Sequence, residues 1–245
     1  MSLWSIAPPQ PCLTTQEIHL WRSPLRPDSA QQLQALAQTL SADERERADR
    51  FKFEPDRQRF IMGRGILRSI LAKYLDTAPG ELQFLYNAYG KPELPAGDRL
   101  LHFNLSHAGE WALVAIAPAP VGVDLESLRP LSNLERLITH CLSPQEQHHL
   151  SNLSTPEKKL AFLQLWTCKE ACIKAVGKGL SIPLAEVEVN SLKLYLDWMN
   201  LTRSPCPARA TRQCDRWWLQ LFSPGADHIA AVAIAEGSWN LKFWQ

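Results

Sequence analysis

The sequence predicts an α+β, sandwich-like protein made of two similar subdomains, residues 1–118 and 119–245. Three observations carry this. Short strand-like runs and amphipathic helical stretches are mixed along the chain. The segment RGILRSILAKYL…PGELQF is echoed by KEACIKAVGKGL…PLAEVEV, each a helix studded with basic residues, then a proline, then a strand opening on glutamate. A proline-punctuated gap, Pro118-Ala119-Pro120, separates an apolar run from VGVDLE. Two such halves joined at that gap place an active site in the cleft between them. Hydrophobic residues make up 45% of the 245 and charged residues 21%, a balance that supports a real core.

In chain order, EIHLWRS reads as a strand, and the helix LQALAQTL follows, capped by Asp28 or Ser29. A charged helix spans ADERERADRFKF. In DRQRFIMGRGILRSILAKYL the apolar residues Phe60, Ile61, Ile66, Leu67, Ile70, Leu71, Tyr74 and Leu75 fall mostly on one helical face. Pro79-Gly80 ends that region. ELQFLYN reads as a strand, AYGKPELPAGD as a loop, and HFNLSH, WALVAIA and VGVDLE as three short strands. Helices are expected near NLERLITHC, from Pro144, and over PEKKLAFLQLWTCKEACIKAVGKG, where glycines stop the last one. EVEVN, LKLYLDW, RWWLQLF and HIAAVAIA read as strands, the last two joined by SPGAD. NLTRSPCPARATRQC, with its prolines and no periodicity, reads as an irregular connection.

Bulk properties narrow the function. A net charge of +1 argues against a dedicated nucleic-acid binder. No stretch approaches 18 uninterrupted apolar residues, and the first residues lack a secretory pattern, so a cytoplasmic protein without a membrane span is expected. The six cysteines form no Cys-x-x-Cys pair and read as buried thiols in a reducing compartment, not as a zinc site or a disulfide framework.

The chemistry concentrates in carboxylates. In VGVDLE, Asp124 and Glu126 are two apart, so on a strand they share a face. Spacing alone reads equally well as a metal-ligand pair or a solvated strand edge. Glu170 and Lys174 are four apart on a helix, the spacing of an ordinary surface ion pair, yet their neighbours Leu165, Trp166, Ala171, Cys172, Ile173, Ala175 and Val176 are too apolar for a solvated face. Three hard oxygen donors with no Cys or His set suit Mg²⁺, which keeps open positions for water and substrate phosphates. Ser106 and His107 are adjacent, point to opposite faces of a strand, and so do not make a nucleophile–base pair. They read as polar donors for a ligand phosphate. Lys91, between Gly90 and Pro92, sits in a rigid loop. Seven arginines between positions 45 and 68 read mostly as surface partners of Asp43, Glu44, Glu46 and Asp49, with one or two free to bind a terminal phosphate.

VGVDLE, followed 44 positions after Glu126 by the Glu170 of LWTCKEACIKAVGKGL, resembles the signature pair of the 4′-phosphopantetheinyl transferases. AYGKP and FNLSHAG, preceding them in the same order, extend the resemblance to the larger, surfactin-synthetase-activating (Sfp-type) class, over about Ser41 to Val189. The resemblance implies two α/β halves forming a pseudo-dimer, with coenzyme A and Mg²⁺ at their interface. It implies Asp124, Glu126 and Glu170 as metal ligands, with Lys174 on the pyrophosphate. Gly90, Lys91 and Pro92 would hold the nucleotide, and Asn104, Ser106 and His107 the phosphate region. Arg47 falls where relatives carry a basic residue for the 3′-phosphate, helped by Arg45 or Arg59, whereas Glu44 stands where some relatives carry another basic residue. The implied reaction transfers phosphopantetheine from coenzyme A to a serine of an apo acyl or peptidyl carrier protein and releases 3′,5′-ADP. Asp124, Glu170 and Lys174 are its catalytic residues, Glu170 the candidate base, and the protein a monomer. The segment 127–165, rich in leucine and polar residues, is the expected carrier contact. Two other readings are a Mg²⁺-dependent nucleotide pyrophosphohydrolase and a non-catalytic carrier-binding scaffold.

Overall fold

Alternation along Ile18-His19-Leu20-Trp21 sends Ile18 and Leu20 to one side of a strand and His19 and Trp21 to the other, and all four are buried. A strand buried on both faces needs a layer on each, and that requirement organises the molecule. The computed structural model describes residues 3–95, 101–129, 131–189, 210–211, 217–235 and 237–245. In order, β1 (Glu17–Pro24), α1 (Ala30–Thr39), α2 (Ala42–Asp49) and α3 (Glu54–Leu75) lead to a small hairpin, β2 (Leu85–Tyr86) and β3 (Pro92–Glu93). Then come β4 (His102–Ala108), β5 (Trp111–Ala117), β6 (Val121–Ser127), α4 (Leu134–Cys141), α5 (Pro144–Ser151) and α6 (Thr155–Val176). The chain continues through β7 (Glu188–Val189), β8 (Ala210–Thr211), β9 (Trp217–Gly225), β10 (His228–Ala235) and β11 (Asn240–Trp244).

Beside the two-stranded pairs β2-β3 and β7-β8, two larger sheets result among the described residues, in the orders β11-β1-β5-β4 and β6-β10-β9. Their facing sides share one core. Leu113, Ala115 and Ala117 of β5 meet Val121, Val123 and Leu125 of β6 and Ala230, Val232 and Ile234 of β10. On the far side of the first sheet, Val114, Ile116 and Trp21 pack against Leu67, Ile70, Leu71 and Tyr74 of α3. On the far side of the second, Ile229, Ala231 and Ala233 pack against α6 through Cys168, Ala171 and Cys172. The α+β expectation thus takes the form helix, sheet, sheet, helix, with a 22-residue helix on each outer face. Positions 118 and 119 lie between β5 and β6, consecutive strands of different sheets. β11 crosses back and pairs parallel with β1, Glu17 opposite Asn240. The cysteines Cys141, Cys168 and Cys172 are buried, and Cys12 is exposed.

Several elements are shorter than their patterns predict. α2 stops at Asp49, because Phe53 is extended (φ −111°, ψ 131°) before a helix whose first turn carries Pro55. ELQFLYN supplies only Leu85–Tyr86 as strand, since Pro79–Glu81 forms a 3₁₀ turn that uses up its start. The AYGKPELPAGD loop contains the two-residue β3. Among the described residues of EVEVN, Glu188–Val189 is strand, after a 3₁₀ turn over Leu184–Glu186. LKLYLDW lies outside the described residues, as does NLTRSPCPARATRQC apart from Ala210 and Thr211. The α1 cap is Ser29, whose Oγ accepts from the Gln32 amide at 3.1 Å.

β11 is fastened by a polar chain. Trp21 Nε1 donates to the Tyr74 hydroxyl (2.8 Å), which lies 2.7 Å from His19 Nδ1. His19 Nε2 faces Glu17 Oε2 (3.4 Å), and Lys242 of β11 reaches Glu17 Oε1 (2.6 Å). Burial alone would raise the Glu17 carboxyl, but hydrogen bonds from Lys242, His19 and Thr14 outweigh it and bring it from 4.5 down to about 2. A carboxyl depressed on folding stabilises the fold fully above its unfolded value and stops doing so as pH falls to the folded one. The melting-temperature advantage of the native protein over Glu17→Gln is therefore expected to shrink between pH 4.5 and about 2. Parallel melting curves through that range would remove Glu17 from the account.

Candidate active site

Gly122 sets the spacing between β6 and α6. A Cβ there would stand 2.0 Å from the Ala171 carbonyl oxygen and 2.3 Å from the Ala175 amide nitrogen, so only glycine lets the helix backbone rest on the strand. One turn along each element, that contact brings Asp124 under Lys174. Lys174 Nζ donates to Asp124 Oδ1 at 2.5 Å and to Ser106 Oγ at 3.0 Å, and Ser106 Oγ itself donates to Asp124 Oδ1 at 3.0 Å. The helical Glu170–Lys174 spacing is thus not used as a surface pair, because Lys174 turns to the strand.

One strand from each sheet, β4 and β6, meets α6 here. β4 and β6 lie side by side without a backbone ladder. Asn104 Oδ1 accepts from the Val123 amide (2.9 Å) and Ser106 Oγ from the Leu125 amide (3.2 Å). Side chains two apart on β4 serve amides two apart on β6, so the edge of β6 is satisfied without a neighbouring strand. Ser106 and His107 both belong to β4, on opposite faces: Ser106 is buried toward Asp124 and His107 lies at the cleft.

Asp124 is 4% exposed, and its Oδ2 is buried with no hydrogen-bond partner. Glu126, on the same face, accepts from Trp166 Nε1 at 2.9 Å. Burial first, and the charge of Asp124 second, push the Glu126 carboxyl above its usual range. The Glu170 carboxyl is raised by the same two causes in the same order, partly offset by Lys174. All three acids share one field, and each would release strain to a cation. Among the described residues no three His, Cys, Asp or Glu side chains are gathered into a ready metal cage. Mg²⁺ sharing its shell with water and substrate phosphates does not require one. An unpartnered buried oxygen, two carboxyls held above their usual range and an all-oxygen donor set fit such an ion.

Beside this cluster opens a cleft of about 870 Å³ lined by Arg47, Arg59, Arg64, Pro92, His107 and Arg129, among others. Arg47 lies over the Phe60 ring (5.3 Å), and Arg64 is within 6.0 Å of the Phe84 and Tyr86 rings. Desolvation of the ring against the cleft wall, then the charges of Lys174 and Arg59, lower the His107 imidazole. The sequence pointed to Arg47 here and did not single out Arg64 or Arg129. Position 44 is not a clamp position in this chain. Glu44 is buried, accepts from Arg68 Nε at 2.6 Å and receives the Ser41 amide in a capping box. Its carboxylate belongs to the core between α2 and α3. Lys91 also departs from expectation: its ammonium points away from the cleft and donates to Lys174 O (2.7 Å), Ala175 O and Val121 O (both 3.3 Å). Two further residues were given no role by the sequence: Trp166, read only as an apolar neighbour, holds Glu126, and Lys169 is fully buried.

Residues 120–233 match the family model for the 4′-phosphopantetheinyl transferase superfamily, and residues 25–119 match that for the 4′-phosphopantetheinyl transferase N-terminal region. The chain is 42% identical over 247 residues to the 4′-phosphopantetheinyl transferase HetI of Nostoc sp., covering 98% of this chain and 97% of the relative. It is 33% identical over 164 residues to the 4′-phosphopantetheinyl transferase Sfp of Bacillus subtilis, covering 67% and 72%. No described helix is long and apolar enough to cross a membrane. With matches along nearly its whole length, and with Asp124, the β4 serine and the α6 lysine in contact beside one cleft, the chain belongs to the 4′-phosphopantetheinyl transferase superfamily and is of the Sfp type.

Proposed function

We propose that the protein moves the 4′-phosphopantetheine group of coenzyme A to a serine of an apo acyl or peptidyl carrier protein, leaving 3′,5′-ADP. The observation that carries this is the contact of Lys174, Asp124 and Ser106 at the seam of the two sheets, one Asp124 oxygen still open, next to an arginine-lined cleft. Arginine forks suit phosphate oxygens. Arg47 and Arg59 hold the 3′-phosphate end, with His107 beside them. The carrier hydroxyl attacks the β-phosphorus of the pyrophosphate, its bond to the ADP oxygen breaks, and the hydroxyl proton passes to Glu170. A carboxyl raised by burial accepts a proton near neutral pH better than an ordinary one. Lys174 balances the charge growing on the leaving phosphate.

Asp124, Glu126 and Glu170 would hold Mg²⁺, which when bound neutralises the pyrophosphate oxygens. We assign the halves to residues 1–118 and 119–245, with β11 lent back to the first. The protein acts as a monomer in the cytoplasm, and 127–165 contacts the carrier. The test is intact-mass spectrometry of several apo carriers from fatty-acid, polyketide and nonribosomal-peptide systems, each with coenzyme A and Mg²⁺. A gain of one phosphopantetheine on at least one carrier, abolished by EDTA, is expected. Coenzyme A breakdown without a carrier would mark a pyrophosphohydrolase instead, and binding of carriers without a mass gain would mark a scaffold.

A further inference from the structure

The last four carbonyls of an α-helix have no partner within the helix and must find one elsewhere. α6 ends at Val176 on Gly177, which is left-handed at φ 76° and donates its amide to Ile173 O at 2.9 Å. The carbonyls beyond are served from the other half of the molecule. Lys91 Nζ donates to Lys174 O and Ala175 O, and Asn87 Nδ2 donates to Gly177 O at 2.9 Å. The donors lie 83 to 90 positions earlier in the chain. The loop that presents them is itself locked. Asn87 Oδ1 accepts from the Tyr89 and Lys91 amides (2.9 and 3.0 Å), the Asn87 amide donates to Lys91 O (3.0 Å), and Gly90 turns the chain at φ 83°. The fit is close: a Cβ on Gly177 would stand 3.1 Å from both Asn87 Nδ2 and Lys91 Cδ.

Lys174 is the residue whose carbonyl Lys91 holds and whose ammonium meets Asp124 and Ser106. We infer that Asn87 and Lys91 form a helix C-cap supplied in trans, and that this cap is a positioning device for Lys174. The cation also opposes the negative end of the helix dipole. Burial lowers the Lys91 ammonium to about 8, partly offset by the charge of Glu93, so it remains largely protonated at neutral pH. The catalytic half of the inference rests on the transferase reading above; the cap itself does not.

Two measurements separate them. Hydrogen exchange on the protein alone reads the cap. Lys91→Met is expected to lower protection of the last-turn amides, residues 174–177, by about tenfold or more, while Lys91→Arg retains most of it. Unchanged protection in Lys91→Met overturns the cap whatever the enzyme does. Transfer kinetics read positioning. Lys91→Met should lower kcat by about tenfold, leave the affinity for 3′,5′-ADP unaltered, and cost nothing further in a Lys174→Ala background. Weaker 3′,5′-ADP binding, additive losses with Lys174→Ala, or lost protection with kcat unchanged would overturn the positioning role. Should Lys91→Met melt early, Asn87→Asp asks the same questions: it removes the donor to Gly177 O and keeps the oxygen that serves the loop.

Discussion

Asp124→Ala is expected to reduce transfer on the order of a thousandfold and to leave the fold in place. The carboxylate is nearly fully buried, with Oδ1 satisfied by Ser106 and Lys174 and Oδ2 by nothing. Removing it discards one unsatisfied buried oxygen and one buried charge, while Lys174, 28% exposed, can turn to water. Those effects oppose each other, and a circular-dichroism melt should move by only a few degrees, whereas a collapsed melt would identify Asp124 as a structural residue. A second signature follows from the field of the cluster. Since the charge of Asp124 helps raise Glu126 and Glu170, both carboxyls fall toward their usual range in the variant. The acid limb of any residual activity should therefore shift to lower pH.

Lys169→Ala is expected to act on stability and not on chemistry. Its ammonium is fully buried, 2.5 Å from Glu146 Oε2, and donates to Cys141 O (3.0 Å) and Leu184 O (2.9 Å). Glu146 in turn accepts from the Ser143 amide (2.8 Å) and the Val189 amide (3.0 Å). One ion pair thus ties α6 to the end of α4, the start of α5 and the strand that follows. Taking away one member leaves a buried charge without its counterion, a loss of about 3–5 kcal/mol, or on the order of 10 °C in melting temperature for a chain of this size. The double variant Lys169→Met with Glu146→Leu keeps the volume, removes both charges, and should recover most of that. If the double variant is as unstable as the single one, the amide contacts of Glu146, not the ion pair, carry the stability.

Much of this was legible in the residues. Short apolar runs bounded by turn residues placed β1, β4, β5, β6, β9 and β10, because each is buried on at least one full face and its composition follows that burial. The shared face of Asp124 and Glu126 was readable from their spacing of two on a strand, whereas the turn of Lys174 from Glu170 to Asp124 was not. What escaped depends on distant partners. β11 (NLKFW) has an ordinary composition and gains its identity only by pairing with β1, more than 200 positions away. Glu44 looks like one more charge on a charged helix until α3 places Arg68 against it. Lys91 looks like a cation offered to a ligand, because nothing local announces that a helix end needs its donors. Lys169 sits in the same motif as Glu170, and only the three-dimensional burial of its ammonium separates the two roles.

The returning strand also dictates an order of events during synthesis. Residues 1–118 leave the ribosome with β1 at the open rim of a three-stranded sheet, its backbone groups unpaired on one side and Glu17 still without Lys242. Only when Asn240–Trp244 emerges does that rim close. The first half is therefore the last to be finished, and a chain halted between the two would expose a β-edge ready to pair with another copy.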